Sequence, residues 1–275
     1  TATTEIYTRS LVRQRQMCIR DRLSPAKKLS AECHAHGTTF TQPQFLTQSN
    51  KLVKKLQTFD PPALQSLMSI SEKLSMLNWE RYKVWKTSFK PESARQAVYT
   101  FMGDTYNGLD AQTLNDDDIL FSQDNTRILS GLYGILKPLD LMMPYRLEMG
   151  TKLENEVGKN LYEFWGSKLS KSLSKELNGH KTKTIINCAS VEYFNSIDNH
   201  DLKAEIVTPV FKEIKNGKPR IISFFAKKAR GMMARFIIQN RIENIDDILA
   251  FDFGGYGYND SLSSPFQPVF TRAQA

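Results

Sequence analysis

Lys27, Asp104, Tyr106, Asn187, Ser190, Glu192, Tyr193, Lys227, Lys228 and Arg230 are far apart in the sequence, yet they are the residue types that hold an anion and move a proton. Several fall where predicted strands end, the usual place for a site in an α/β protein. If they meet, Asp104 or Glu192 is the candidate for proton transfer with Lys27 beside them, while the basic residues at 227–230 hold a phosphate. Spacing alone does not show that they converge.

The second candidate is a block of charge. Lys212, Lys215, Lys218, Arg220, Lys227, Lys228, Arg230, Arg235 and Arg241 stand against one acid, Glu213, within thirty residues, a net of +8. From residue 23 onward the chain nets +5, so everything outside this window nets −3 and the positive charge is local. At about 100° per residue, the five basic side chains from 227 to 241 fall within an arc of roughly 160°, with Met232, Met233, Phe236 and Ile237 opposite. One reading is a solvated amphipathic helix with snorkelling side chains. The other, favoured by the lysines of the neighbouring segment, is a surface for a phosphate backbone or another anionic ligand.

The third candidate is Ser130-Gly131-Leu132-Tyr133-Gly134, followed by Lys137. A Gly-x-x-Gly hairpin between apolar residues resembles the hairpin of helix-hairpin-helix modules, whose backbone N–H groups meet a phosphate. That reading makes Gly131, Gly134 and Lys137 phosphate contacts. The alternative is a tight turn whose glycines take positive φ.

Other chemistries find less support. The sequence has no P-loop, dinucleotide fingerprint, HExxH or GxSxG, and Phe253-Gly254-Gly255-Tyr256-Gly257-Tyr258 has the wrong spacing for a phosphate loop. Cys18, Cys33 and Cys188 show no CxxC spacing, which argues against a disulfide framework and a structural zinc and fits a reducing cytoplasm. Cys33-His34-Ala35-His36 has only Glu32 nearby, too little for a metal site. Cys188 lies in an apolar run and reads as packing rather than as a nucleophile. No metal or cofactor is therefore assigned. No run of eighteen apolar residues exists, so no bilayer-spanning segment is expected.

The elements that must position these residues alternate in type. Leucines between 50 and 77 recur at helical spacing around Asp60-Pro61-Pro62, predicting two helices with a break. Another helix is expected over 91–101, opening at Pro91. Asn115 with Asp116, Asp117 and Asp118 caps a helix expected to run through Leu129. A helix over 160–177 precedes a buried strand at 183–189 and a short helix after Ser190. Two strands at 205–214 and 219–226, joined by Asn216-Gly217, carry the strongest hairpin signal, and a helix over 227–241 closes the regular part. This is an α/β pattern: a single domain with a central mixed sheet and surrounding helices.

Residues 1–22 differ from the rest. They hold five arginines against Glu5 and Asp21, with no helical apolar stripe and no uncharged hydrophobic segment, which excludes a signal peptide. The composition leaves open a transit peptide or a nucleic-acid arm. The stretch LVRQRQMCIRDR resembles instead the translated remnant of a sequencing adapter. On that reading, residues 1–22 are an extension foreign to the domain and poorly packed on it. The first strand is then cut short at Leu23, and 23–275 form the domain.

The ordered motifs SPAK (24–27), GDTYNGL (103–109), LSGLYGILKPLDLMMPYRLEMG (129–150), LYEFWG (161–166), INCASVEYF (186–194), PVF (209–211) and FFAKKARGMMARFII (224–238) resemble the peroxide-stress YaaA family from about Leu23 to Arg272. The chain departs from the family pattern at its N-terminal strand and at Lys28, where the family has Thr. The resemblance implies a cytoplasmic α/β protein induced by hydrogen peroxide. It also implies a role in limiting free intracellular iron, and DNA binding through a basic cleft and a helix-hairpin-helix-like element. No accepted reaction comes with it. The leading expectation is sequence-independent binding of double-stranded DNA, with Lys227, Lys228, Arg230, Arg235, Lys218, Gly131, Gly134 and Lys137 at phosphates. The alternatives are an enzyme acting on a nucleotide-like or other anionic small molecule, and an iron-handling or protein-interaction module.

Overall fold

Leu23 ends the strand at the centre of the molecule, with the chain's main sheet built out on both sides of it. The computed structural model describes residues 19–32, 36–178, 183–197 and 201–273. Strand β1 (Ile19–Leu23) is flanked by β2 (Thr126–Ser130) and by β4 (Thr184–Cys188), both parallel to it, with Leu23 opposite Ile128 on one side and Cys188 on the other. β3 (Gly134–Leu136) adds antiparallel to β2, and β5 (Glu205–Val207) adds parallel to β4, giving the order β3-β2-β1-β4-β5. β2 and β4 are buried at every position, as expected of strands covered on both faces.

Two sequence expectations change here. Residues 19–22 do not stand apart from the domain, because they form most of the central strand and Arg22 is fully buried. An extended chain of almost any composition offers the backbone donors and acceptors that the gap between β2 and β4 requires, so the pairing is indifferent to what the side chains are. Residues 1–18, and with them Cys18, lie outside the described residues. The helix expected through Leu129 ends at Asn125, and Thr126–Ser130 becomes β2. Local propensity favoured continuation, but a buried slot beside β1 is worth more than one further turn.

The helices follow their capping signals. α1 (Leu46–Leu56) turns Leu52, Val53 and Leu56 inward. α2 (Pro61–Met68) starts at Pro61 with Asp60 accepting from the Ala63 N–H, and α3 (Glu72–Val84) is capped by Ser71. α4 (Asp104–Leu109) is short, α5 (Asp116–Asn125) carries the expected Asn115 cap, and α6 (Leu161–Trp165) is capped by Asn160. α7 (Lys168–Leu177) buries Leu169, Leu173 and Leu177, a spacing of four that keeps one face inward. The segment expected to be a helix over 91–101 is a two-residue strand and a single helical turn.

A second, four-stranded sheet contains β6 (Val210–Lys215), β7 (Lys218–Arg220), β8 (Gly257–Tyr258) and β9 (Val269–Ala273), in the order β7-β6-β9-β8. β6 and β7 pair antiparallel across Asn216 (φ 52°) and Gly217 (φ 72°), the two positive dihedrals of the expected tight turn. The second strand of the hairpin is shorter than expected. Residues 223–226 are already the start of α8 (Ser223–Gln239). One contiguous apolar core runs from Leu23 to Phe270 through both sheets.

The segment Gly131-Leu132-Tyr133-Gly134 joins β2 to β3, so it is the turn of a β-hairpin and not of a helix-hairpin-helix. It is also buried. The Tyr133 N–H donates to Ser130 Oγ at 2.9 Å, the Trp165 indole donates to the Gly131 carbonyl at 3.0 Å, and the Trp165 ring covers Gly134. Two glycines between apolar residues describe a strand turn as well as a helical one, and the tryptophan on α6 that closes it is remote in sequence.

Candidate functional site

β1 and β4 both run toward the same edge of the sheet, and the chain leaves them through Ser24 and Ser190. The Ser190 N–H donates to Ser24 Oγ at 2.7 Å, and the Tyr106 hydroxyl donates to the Ser24 carbonyl at 3.1 Å. At this pair of strands the order of the sheet reverses, with β2 and β3 lying to one side of β1 and β4 and β5 to the other. In open α/β sheets, ligands occupy the crevice at such a point, outside the carboxyl ends of the strands.

A cavity of about 490 Å³ opens there. It is lined by Ser24, Pro25 and Ala26 and by Tyr145, Leu147 and Tyr193. Lys27, Lys28, Arg146, Lys227 and Arg230 bring cations to it, and Asp104, Glu148 and Glu192 bring carboxylates. Seven of the ten polar residues considered from the sequence therefore converge: Lys27, Asp104, Ser190, Glu192, Tyr193, Lys227 and Arg230. Tyr106 stands directly behind Ser24. Asn187 is buried within β4, where its side chain accepts from the Ala189 N–H. Lys228 is exposed outside the cavity.

Asp104 and Arg230 come to line one cavity through the crossing of α4 and α8. A Cβ on Gly231 would stand 1.8 Å from the Thr105 carbonyl oxygen, and one on Gly108 would stand 2.0 Å from the Lys228 carbonyl oxygen. Only glycine on both helices permits that backbone approach. Arg235 then reaches across to the end of α4, donating to the Leu109 and Asp110 carbonyls at 3.0 and 2.8 Å. Its guanidinium thus satisfies orphan carbonyls of that helix and helps to fix α4. Arg241 is likewise engaged, with Asp118 at 2.7 Å. Of the basic arc expected from the sequence, Lys227, Lys228 and Arg230 have no ion-pair partner among the described residues.

Within the cavity the carboxylates differ. Glu148 takes Lys27 at 2.7 Å and Arg146 at 3.0 Å, and Glu192 accepts from the Gly150 N–H at 2.9 Å. The Asp104 carboxylate forms no hydrogen bond or ion pair among the described residues, and neither does the Arg230 guanidinium. Burial pulls the Arg230 guanidinium below its usual pKa. Burial also pushes the Tyr145, Tyr193 and Tyr106 hydroxyls well up, so all three remain protonated donors. The Tyr145 hydroxyl is already shared with Ser130 Oγ at 2.6 Å.

The remaining candidates lie elsewhere. Lys218 is exposed on β7, the strand that leads into α8. Lys137 borders a different depression, with Arg127, Asp140 and Glu176. Gly131 and Gly134 are beneath the surface, as described. His36 faces Tyr99, its N–H held by Gln96 at 2.7 Å, while Cys33, His34 and Ala35 lie outside the described residues. Among the described residues, no group of three or more His, Cys, Asp or Glu side chains is placed to hold a metal ion, and no helix is long and apolar enough to cross a membrane. Sequence reasoning passed over Ser24, Tyr145, Arg146 and Glu148 as site residues. They lie within the SPAK and PYRLEMG motifs, which were the available signal.

The model of the family described as peroxide stress protein YaaA matches residues 22–262, which takes in every residue lining the cavity. The chain belongs to the peroxide stress protein YaaA family. Relatives carry the description UPF0246 protein. One from Aliivibrio fischeri strain ES114 is 51% identical over 252 residues, covering 92% of this chain and 97% of the relative. Others from Colwellia psychrerythraea and Idiomarina loihiensis are 50% and 49% identical, each covering 92% of this chain and 98% of the relative. The YaaA match thus extends across the described residues apart from the start of β1 and residues 263–273, which include β9.

Proposed function

We propose that this YaaA family member acts in peroxide defence as a cytoplasmic protein that binds double-stranded DNA without regard to sequence. Covering DNA in this way helps limit the oxidative damage driven by free iron. The observation that carries the reading is a set of exposed cations, close in the chain, with no ion-pair partner among the described residues. It comprises Lys215, Lys218 and Arg220 on the hairpin and Lys227 and Lys228 on α8. Lys28 adds to it from across the cavity mouth. Such a surface repels itself in free solution. It gains entropy when its lysines displace counterions from a phosphate backbone, and this term carries no base information.

The test is duplex binding over a salt series. Phosphate-backbone binding falls linearly on log–log axes with a slope of about −0.9 per phosphate neutralised. Lys227→Ala with Lys228→Ala is expected to weaken binding to all duplexes alike and to reduce the slope by about two. A double variant that binds duplex with unchanged affinity and slope would take this helix out of the interface.

A further inference from the structure

We infer that the cavity at the ends of β1 and β4 is a site for a single nucleotide unit, its phosphate held by Arg230 and Lys227 and its base read by Asp104. This goes beyond the backbone contacts proposed above and extends them inward, since Lys227 belongs both to the outer basic set and to the cavity rim. Three observations combine. First, Arg230 is largely withdrawn from water without any carboxylate or carbonyl partner among the described residues. A guanidinium so placed is stabilised by an anion that comes to it, and its planar fork suits phosphate. Second, Asp104 lines the same cavity, also without a partner, and a carboxylate accepts only. It repels a bare phosphate and calls for a group that donates, such as the amino or imino edge of a base. Third, the same cavity is also lined by Pro25, Ala26, Met102, Leu147 and two tyrosines, a surface for a flat, weakly polar body. At about 490 Å³ the volume lies in the range of small-ligand sites, roughly 300–1,000 Å³, and admits one nucleotide but not a duplex.

An inorganic anion would use only the first observation, and a neutral apolar compound only the third. A nucleotide uses all of them. The unit has two sources of identical chemistry, a free mononucleotide or an unpaired nucleotide at the end of a bound strand.

The experiment is calorimetric titration of the whole protein with the four deoxynucleoside monophosphates, 2-deoxyribose 5-phosphate and inorganic phosphate. Fluorescence titration with a blunt duplex and the same duplex carrying a short single-stranded tail completes it. One-to-one binding of mononucleotides is expected, with phosphate and the sugar phosphate at least tenfold weaker. Arg230→Gln should lower mononucleotide affinity about ten- to hundredfold, the loss of one charge-assisted contact. Asp104→Asn should reorder the preference among the four bases and leave the sugar phosphate unaffected. If the tail raises duplex affinity and Arg230→Gln abolishes that gain, the nucleotide comes from DNA; if the tail adds nothing while mononucleotides bind, it comes from solution. Lys218→Ala with Arg220→Ala separates the two readings, because it should weaken the blunt duplex and leave mononucleotides unchanged. The cavity assignment is overturned if no mononucleotide binds at millimolar concentration. It is equally overturned if Arg230→Gln, melting like the parent, binds mononucleotides as tightly as the parent.

Discussion

Replacing Gly231 by Ala tests whether the α4–α8 crossing builds the site. In the interior of an ordinary helix this change stabilises by about 1 kcal/mol, because Ala loses less backbone freedom and shields the turn. Here the new methyl would lie 1.8 Å from the Thr105 carbonyl oxygen and 2.8 Å from the Leu109 nitrogen, against an ordinary separation of 3.4 Å or more. These are backbone atoms and cannot rotate aside. The helices must part by more than an ångström, and a gap of that size forfeits about half or more of the dispersion energy along the contact. Overpacking that side chains can relieve costs about 1–3 kcal/mol. With backbone on both sides, the expected net loss is about 3–4 kcal/mol, close to the upper end for single substitutions. At about 2–4 °C per kcal/mol for a chain of this size, the melting temperature should fall by roughly 6–16 °C. Gly257→Ala, where a Cβ meets nothing within 4 Å, is the control and should stay within about ±0.5 kcal/mol. The assay is urea denaturation followed by tryptophan fluorescence. A Gly231→Ala protein as stable as the parent, or more so, would refute the close crossing and with it the account of how Asp104 and Arg230 come to line one cavity.

Phe236→Ala should cost about 3–5 kcal/mol, because the ring packs edge-on against Phe251 and Phe253, whereas Lys227→Ala with Lys228→Ala should melt within about ±0.5 kcal/mol of the parent. Asp140, buried with Thr41 Oγ1 at 2.5 Å on its carboxyl, has its pKa raised by burial from 3.8 to about 6. The folded state therefore binds the proton more tightly than the unfolded one, and the stability this contributes is complete below about pH 4 and lost as pH rises to about 6. The gap corresponds to about 3 kcal/mol, so the difference in unfolding free energy between Asp140→Asn and the parent should drift by up to that amount in favour of the variant between pH 4 and 7; a flat difference would contradict the assignment.

The sequence by itself determined whatever depends on neighbours along the chain. Asn216-Gly217 specified its hairpin because few residue pairs accept positive φ at two successive positions, and the Asn115 cap was legible because a side-chain acceptor serves the N–H groups just after it. The division of α8 into an apolar and a basic side followed from helical period alone, as did the family from ordered motifs. Tertiary structure decided the rest. Thr126–Ser130 became a strand because β1 lies beside it, and residues 19–22 entered the sheet because backbone pairing does not consult side chains. Gly131 and Gly134 were closed over by Trp165, and Arg235 was drawn from the basic arc to the carbonyls at the end of α4. The site itself belongs to this second class. Lys27, Asp104, Glu192 and Arg230 come from four separate segments, and they meet because two parallel strands end side by side and two glycines let two helices touch. Neither condition can be read from any one segment, since each depends on long-range contacts whose partners lie tens to more than a hundred residues apart.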